Sequence, residues 1–343
     1  MKLSRSGLIS FYAVLALTWL AGCGGSSSPP NTPPPPTIGK LYVTLTNGTQ
    51  ILRFNAGASG NASPQARAGI ALRAPALVAL DVPHDRMAVV SADVSPAIAL
   101  VDNVSSGGSF PRIIAGPATT LGSAPDDCAL DGTNDLLYVG ENLGLGVTAV
   151  LVFGPASTVT GNVAPLRTFT ALNGGDMVLD AANNRLFLSD MVNNAILIFD
   201  GASTLSGRVV PNRVISGAAT QLNGPREMVL DGSGRLIVSN PSVLSNPRFS
   251  NLLVFSNAGA ANGNVAPATS SAIDRIPTQM AISPAGELYM TDGEAEVPIY
   301  GNIATASGSI NPIRVIAGPD TGLNFISRGT FSLPQGIALD PTR

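Results

Sequence analysis

Apolar residues occur along positions 39–343 in short runs bounded by glycine, proline, asparagine and aspartate, and the runs recur in a fixed order. One run closes on Leu-Asp or an equivalent at Asp81, Asp131, Asp180, Asp231, Ser283 and Asp340, at spacings of 50, 49, 51, 52 and 57 residues. A second run follows (MAVV from Met87, LLYV from Leu136, LFLS from Leu186, LIVS from Leu236, LYM from Leu288), then a third, as in VLVF to Phe153, ILIF to Phe199 and LLVF to Phe255. A fourth opens with proline and arginine at Pro111-Arg112, Pro165 to Arg167, Pro211 to Arg213 and Pro312 to Arg314. Short apolar runs between turn residues read as strands. Four strands per unit at a period near 50 residues predict the blades of a β-propeller.

The chain ends set the blade count. Residues 39–54 hold only a second run (LYVTL from Leu41) and a third (ILRF, Ile51 to Phe54), while the C-terminus carries a lone first run, GIALD. Together they complete one blade, so the expected fold is all-β: a six-bladed propeller of four-stranded blades, its ring closed by residues 336–340 beside the strand at Leu41. A closed ring leaves no open sheet ends, and a monomer is expected. GNASP at Gly60 and GNVAP at Gly161 and Gly263 supply residues that tolerate positive φ between the third and fourth strands. The prolines and arginines opening the outer strands are expected to blunt the exposed rim. The aspartates closing the first strands read as turn formers.

Upstream of this domain the pattern changes. Lys2 and Arg5 precede an apolar run from Gly7 to Trp19, and LAGC (Leu20 to Cys23) follows. This is the layout of a secretory signal, too short to span a bilayer, which takes about 20 apolar residues. The tetrad resembles the lipobox of bacterial lipoproteins at all four positions. That resemblance implies cleavage before Cys23 and acylation of Cys23, each buried methylene contributing about 0.8 kcal/mol to membrane anchoring. GGSSSPPNTPPPPT after Cys23 has no apolar side chain and predicts an extended tether of about 3.1 Å per proline-rich residue. The expected organisation is 1–22 signal peptide, 23–38 lipidated cysteine and linker, and 39–343 propeller. Gly24 is not the aspartate that retains bacterial lipoproteins at the inner membrane, so the outer membrane is the expected location.

Composition narrows the function classes. Loss of residues 1–22 removes Lys2 and Arg5 and leaves 17 basic against 22 acidic side chains. An acidic domain lacks the basic footprint of a nucleic-acid binder. Only Cys128 remains once Cys23 is acylated, so no intrachain disulfide can form. The single histidine, His84, lies in a turn, which excludes histidine metal clusters and Ser-His-Asp triads. GLGVTA (Gly144 to Ala149) fits a dinucleotide fingerprint only on paper, because it lies between two strands with no helix to follow.

LNGPREMVLDGSGRLIVSN (Leu222 to Asn240) and LPQGIALD (Leu333 to Asp340) resemble NHL-type repeats. The resemblance covers the exported domain and implies the propeller fold; it says little about function, because propellers host enzymes, receptors and scaffolds alike.

The departures from that pattern carry the candidate chemistry. Four residues before each anchor, where NHL repeats usually have glycine, stand Leu77, Asp127, Asp176, Glu227, Gln279 and Gly336. First strands line the channel of a propeller, so these positions form a ring near one mouth. The second strands return to that face and end in Glu141, Asp190, Asn240 and Asp292, whereas the remaining two blades offer Leu45, Leu77 and Ala92. Converging carboxylates repel unless some are protonated or a cation neutralises them, and all-oxygen ligands suit Ca2+ or Mg2+. Six-bladed lactonases of the gluconolactonase and paraoxonase type are similar in holding a divalent metal with Glu, Asp and Asn there, which implies Asp127, Asp176, Glu227 and Asn240 as Ca2+ ligands of a hydrolase. The leading expectation is a non-catalytic, membrane-anchored module that presents a loop face to an envelope protein, a glycan or a small ligand.

Overall fold

The second and third strands of each unit run apolar without alternating because both of their faces are covered. Arg86–Ser91 is buried along its whole length, and Ala195–Asp200 is buried at all but its last position. Each of six apolar clusters lies between two neighbouring blades: Tyr138, Val150 and Val152 meet Leu186, Leu188 and Phe199, and Tyr42 and Ile51 meet Met87, Val89 and Val101. A strand buried on two faces needs apolar side chains at every position, and each fully buried Leu, Ile or Phe stabilises the fold by about 1.5–3 kcal/mol.

The computed structural model describes residues 39–343 apart from 47, 92–94, 123–124, 144–146, 173, 242–248 and 328–329. The signal, Cys23, the tether, Ala92 and the glycines of the 144–149 motif therefore lie outside the described residues. The fold is an all-β propeller of six four-stranded blades. Blade 1 consists of Pro334–Asp340, Lys40–Leu45, Gln50–Asn55 and Ala66–Gly69, with Lys40 opposite Asp340 and Leu41 opposite Leu339. Blade 2 is Pro75–Asp81, Arg86–Ser91, Ala97–Asp102 and Arg112–Ala115. Blade 3 is Pro125–Asp131, Leu136–Asn142, Val147–Phe153 and Arg167–Leu172. Blade 4 is Gly174–Asp180, Arg185–Asp190, Ala195–Asp200 and Arg213–Ser216. Blade 5 is Met228–Leu230, Leu236–Pro241, Ser250–Phe255 and Thr269–Ile273. Blade 6 is Gln279–Ile282, Leu288–Thr291, Glu296–Tyr300 and Arg314–Ala317.

The outer edges are protected differently from the sequence expectation. The arginines do not stand on the rim as edge charges. Arg112 donates to the Ala156 and Val159 carbonyls of blade 3 and to Asp102, and Arg314 donates to the Ala56 and Ala58 carbonyls of blade 1 and to Glu287. These two tie blade 2 to blade 3 and blade 6 to blade 1, while Arg213 pairs with Asp200 of its own blade. The edges themselves are covered by glycine segments from the following blade: Gly161 bridges Ile114, Gly263 bridges Ile215 and Gly60 bridges Ile316, while Gly207–Arg208 and Gly308–Ser309 pair in parallel with the outer strands of blades 3 and 5. The first-strand aspartates do form turns, as in Asp131, whose carboxylate accepts the N–H groups of Thr133 and Asn134.

Candidate functional site: the channel mouth

The first strand of a blade pairs on one side only, so its other edge points N–H groups into the channel, and these must find acceptors. The ring positions supply some of them. Asp127 accepts the N–H of Met177 in the next blade at 2.7 Å and that of Cys128 at 2.7 Å, and Asp176 accepts that of Met228 at 2.5 Å. Gln279 accepts Ile337 N–H at 2.8 Å and Val78 N–H at 3.2 Å, and its amide nitrogen donates to the Val78 carbonyl. Gly336, the equivalent position of blade 1, has no side chain to offer. A Cβ on Gly336 would run into the Ala76 carbonyl oxygen and stand 2.5 Å from Thr44 Oγ1. Thr44 meanwhile donates to Ala76 O and accepts Gly336 N–H, linking blades 1 and 2 at the same level.

Asp127, Asp176, Glu227 and Gln279 line one cavity of about 460 Å3, whose wall takes residues from the first strands of all six blades: Val78 to Leu80, Asp127 to Leu130, Asp176 to Ala182, Glu227 to Leu230, Gln279 to Ile282 and Ile337 to Leu339. Apart from the ring and Asp180, the residues of the wall carry apolar side chains. Burial pushes the Asp127, Asp176 and Glu227 carboxyls well above the usual carboxylate range, and the charge of each neighbour adds to it: Asp176 on Asp127, Glu227 on Asp176 and Asp127 on Glu227. Asp127 and Asp176 also share a hydrogen bond. Arg226 works the other way on Glu227. The sequence-predicted ring of Asp127, Asp176, Glu227 and Gln279 is thus brought together in one chamber, and Cys128 beside it is a buried free thiol.

The predicted second tier is not brought to that chamber. Asn240 accepts Asn223 N–H at 2.6 Å and donates to Gln221 O, so its amide fastens the approach to blade 5. Asp190 caps its own turn through Val192 and Asn193. Asp292 pairs with Arg275 at 2.7 Å beside Glu296, in a separate polar recess. Glu141 is buried against Gly122, where a Cβ would lie 2.5 Å from its Oε2. Among the described residues, no group of three or more His, Cys, Asp or Glu side chains is arranged to hold a metal ion. His84 sits in its turn with Nδ1 2.8 Å from Asp81.

A second set of linking residues has no counterpart in the sequence reading. After the outer strands of blades 2, 4 and 6, the turns Pro117–Thr119, Ala218–Thr220 and Pro319–Thr321 start 101 residues apart. In each, a buried threonine donates to a glycine carbonyl and accepts a leucine N–H: Thr119 with Gly116 and Leu121, Thr220 with Gly217 and Leu222, Thr321 with Gly318 and Leu323. The asparagines of the three GN turns reach these elements, Asn162 accepting Ala118 N–H, Asn264 accepting Ala219 N–H and Asn61 accepting Asp320 N–H, all at 2.7 Å. The signal was available as a two-blade period: RIIAGPAT from Arg112, RVISGAAT from Arg213 and RVIAGPDT from Arg314.

Comparison with known proteins supports the architecture. The chain is similar to a chain in the crystal structure of a nidogen/laminin complex, with a TM-score of 0.57 and 14% identity over 89% of this chain and 99% of that one. It is similar as well to a functionally unknown protein from Desulfotomaculum acetoxidans DSM 771, with a TM-score of 0.55 and 12% identity over 82% of this chain and 96% of that one. Likeness at this identity speaks for the fold alone. No protein-family model matches the chain. No curated protein matches it either.

Proposed function

We propose that this chain is an NHL-like propeller lipoprotein, acylated at Cys23 and tethered by residues 24–38 to the outer membrane, that acts as a non-catalytic binding module in the cell envelope. The observation that carries the non-catalytic reading is the employment of the channel-mouth polar groups. Asp127, Asp176 and Gln279 hold neighbouring blades by their backbone, while Asn240, Asp190 and Asp292 hold local turns or an arginine. Groups so engaged are structural fasteners rather than reactants. Among the described residues no helix is long and apolar enough to cross a membrane, so the anchoring in this reading rests on the lipid.

The convergence of three carboxyls in one cavity favours a second reading, a Ca2+-dependent lactonase or esterase with the metal at Asp127, Asp176 and Glu227. The engaged amide of Asn240 and the backbone bonds at Asp127 do not fit the four-ligand set that this reading needs. Calorimetric Ca2+ titration with a thermal melt separates the two. A saturating cation at 100 times its dissociation constant would stabilise the fold by about 2.7 kcal/mol. We expect no saturable heat and no shift in Tm; a saturable site lost in the Asp127→Asn, Asp176→Asn, Glu227→Gln variant would replace the binding-module reading, and a lactone panel would then assay turnover. Separately, Cys23→Ser should move the protein from the membrane to the soluble envelope fraction, and a variant that stays membrane-bound would end the lipoprotein reading.

A further inference from the structure

In blades 2 to 6, the outer-strand residue opposite Ile98, Val150, Ile196, Leu252 or Val297 of the third strand, three residues before Val101, Phe153, Phe199, Phe255 or Tyr300, is bridged from outside by a glycine of the following blade: Ile114 by Gly161, Phe169 by Gly207, Ile215 by Gly263, Ser271 by Gly308 and Ile316 by Gly60. All five glycines have φ between +59° and +84°. The matching residue of blade 1 is Ala68, opposite Ile51. A glycine of suitable conformation stands nearby, since Gly108 has φ +78° and a Cβ on it would lie 3.6 Å from the Ala68 methyl. Its N–H donates instead to Asn103 O at 3.0 Å, and that of Ser109 donates to Asp102 O at 2.8 Å. Among the described residues no backbone hydrogen bond joins residues 103–111 to residues 66–69.

Among the described residues the consequence is one unbridged outer edge, that of blade 1. In blade 2 the outward groups are the Ile113 carbonyl, which accepts Gly161 N–H, and the Ala115 N–H, which donates to Gly161 O. Their counterparts in blade 1 are the Arg67 carbonyl and the Gly69 N–H. Arg67 and Gly69 are exposed, whereas Ile113 and Ala115, Val214 and Ser216, and Val315 and Ala317 are half-buried. The surroundings of this edge are asymmetric. On the blade 2 side Phe110 is 98% exposed, two residues from Gly108. On the blade 6 side the Arg67 guanidinium lies over Gly322, with Nη2 2.6 Å from where a Cβ would stand. Arg67, and Arg73 just beyond the strand, are exposed and enter no ion pair among the described residues, in a chain with a net charge of −3.

We propose that the outer edge of blade 1, Ala66–Gly69, takes up an extended segment of another protein by strand addition, with acidic residues on the Arg67 side alternating with apolar residues on the Phe110 side. This surface is distinct from the channel mouth. An incoming strand bonds the Arg67 carbonyl and the Gly69 N–H as the bridging glycines do elsewhere, and its alternate side chains fall on opposite faces of the sheet. Charge complementarity selects acidic residues for one face and the exposed phenyl ring selects apolar ones for the other. A second copy of this chain is the poorer occupant, because edge-to-edge pairing would bring Arg67 against Arg67.

The test uses the full chain and three fluorescent heptapeptides: alternating valine and glutamate, alternating valine and lysine, and the valine–glutamate peptide with proline at its central position. We expect the valine–glutamate peptide to bind, the other two to bind at least about tenfold more weakly, and Arg67→Glu, Gly69→Pro and Phe110→Ser each to weaken the first by about tenfold without changing Tm materially. Val210→Ser, at an exposed site on blade 4, should leave binding unchanged. Amide exchange at Gly69 should be fast in the free chain and slow with peptide. Absence of binding, binding indifferent to Gly69→Pro, or Gly69 protection in the free chain at dilution (residues 107–109 having closed the edge) would overturn the proposal. So would a concentration-dependent dimer abolished by Gly69→Pro, which would give the edge to a second copy.

Discussion

The outer rim and the channel ring perform the same task, joining one blade to the next, and do it in opposite styles. At the rim the joints repeat: glycine, buried threonine and a neighbouring asparagine recur every 101 residues at Thr119, Thr220 and Thr321. At the channel the joint is irregular: Asp127, Asp176 and Gln279 each accept the N–H that follows the next blade's ring position, from Met177, Met228 and Ile337, whereas Leu77 and Gly336 have no side-chain acceptor to offer. The rim behaves as three copies of a two-blade device. The channel repeats its joint at only some of its positions, and it places three carboxyls, Asp127 buried and Asp176 and Glu227 half-buried, where a neutral group would cost less. Irregularity at the channel therefore marks where the chain departs from what the fold alone requires.

The most severe way to break this comparison is to remove residues 331–343. The strand Lys40–Leu45 loses its inner partner and the ring gains an open edge, so we expect loss of the cooperative melt and aggregation on a sizing column; a soluble, cooperative truncation would contradict it. Next in size is Gly336→Val. The side chain meets a backbone carbonyl and Thr44, and overpacking of this kind costs about 3 kcal/mol, measured as a fall in the denaturant midpoint. The same change at Gly69, where nothing lies within 4 Å of a Cβ, should cost far less. At the rim, Thr119→Ala, Thr220→Ala and Thr321→Ala each leave a leucine N–H and a glycine carbonyl without the hydroxyl. Each should lose about 2 kcal/mol, and nearly equal losses at all three would sharpen the claim of a repeated device.

The pH dependence addresses the channel ring. A carboxyl whose folded pKa is raised keeps its proton after the unfolded chain has lost one. Its contribution is complete below the ordinary carboxylate range and is lost as pH rises from there to the raised value. Stability should fall with rising pH through that window by about 1.4 kcal/mol per pH unit for each proton held. Denaturation midpoints across the window should show the slope in the wild-type chain, and the Asp127→Asn, Asp176→Asn, Glu227→Gln variant should flatten it. A slope that survives the substitutions would place the protons elsewhere. The smallest effect belongs to Asn162→Ala or Asn264→Ala, each removing one acceptor at an exposed joint, with an expected loss of about 1 kcal/mol in equilibrium unfolding.

Legibility in the sequence follows the same division. The blade number and strand order could be read because every second and third strand is buried on two faces and must be apolar, so LLYV, ILIF and LIVS stand out against their turns. The channel ring was legible as well, because one position per unit lines the channel and Asp127, Asp176 and Glu227 break the pattern there. Its second tier was not. Asn240, Asp190 and Asp292 end strands on the same face, but a side chain at a strand end bonds whichever turn lies nearest, and a run of strands does not specify that. The rim arginines stand at a fixed place in the repeat, but the groups they hold do not follow from it, since whether Arg112 faces solvent or the Ala156 carbonyl depends on a neighbour 44 residues away.

The sequence by itself determined that residues 39–343 build an all-β propeller of six four-stranded blades, because periodic burial writes itself into periodic hydrophobicity. Only the tertiary structure decided which polar groups are engaged: that Asp127, Asp176 and Gln279 hold the backbone of the next blade, and that among the described residues the outer edge of blade 1 has no bridging glycine. Hydrogen bonds act over a few ångströms between residues tens to hundreds of positions apart in the chain, so their partners are fixed by the closing of the ring and not by any local run of residues.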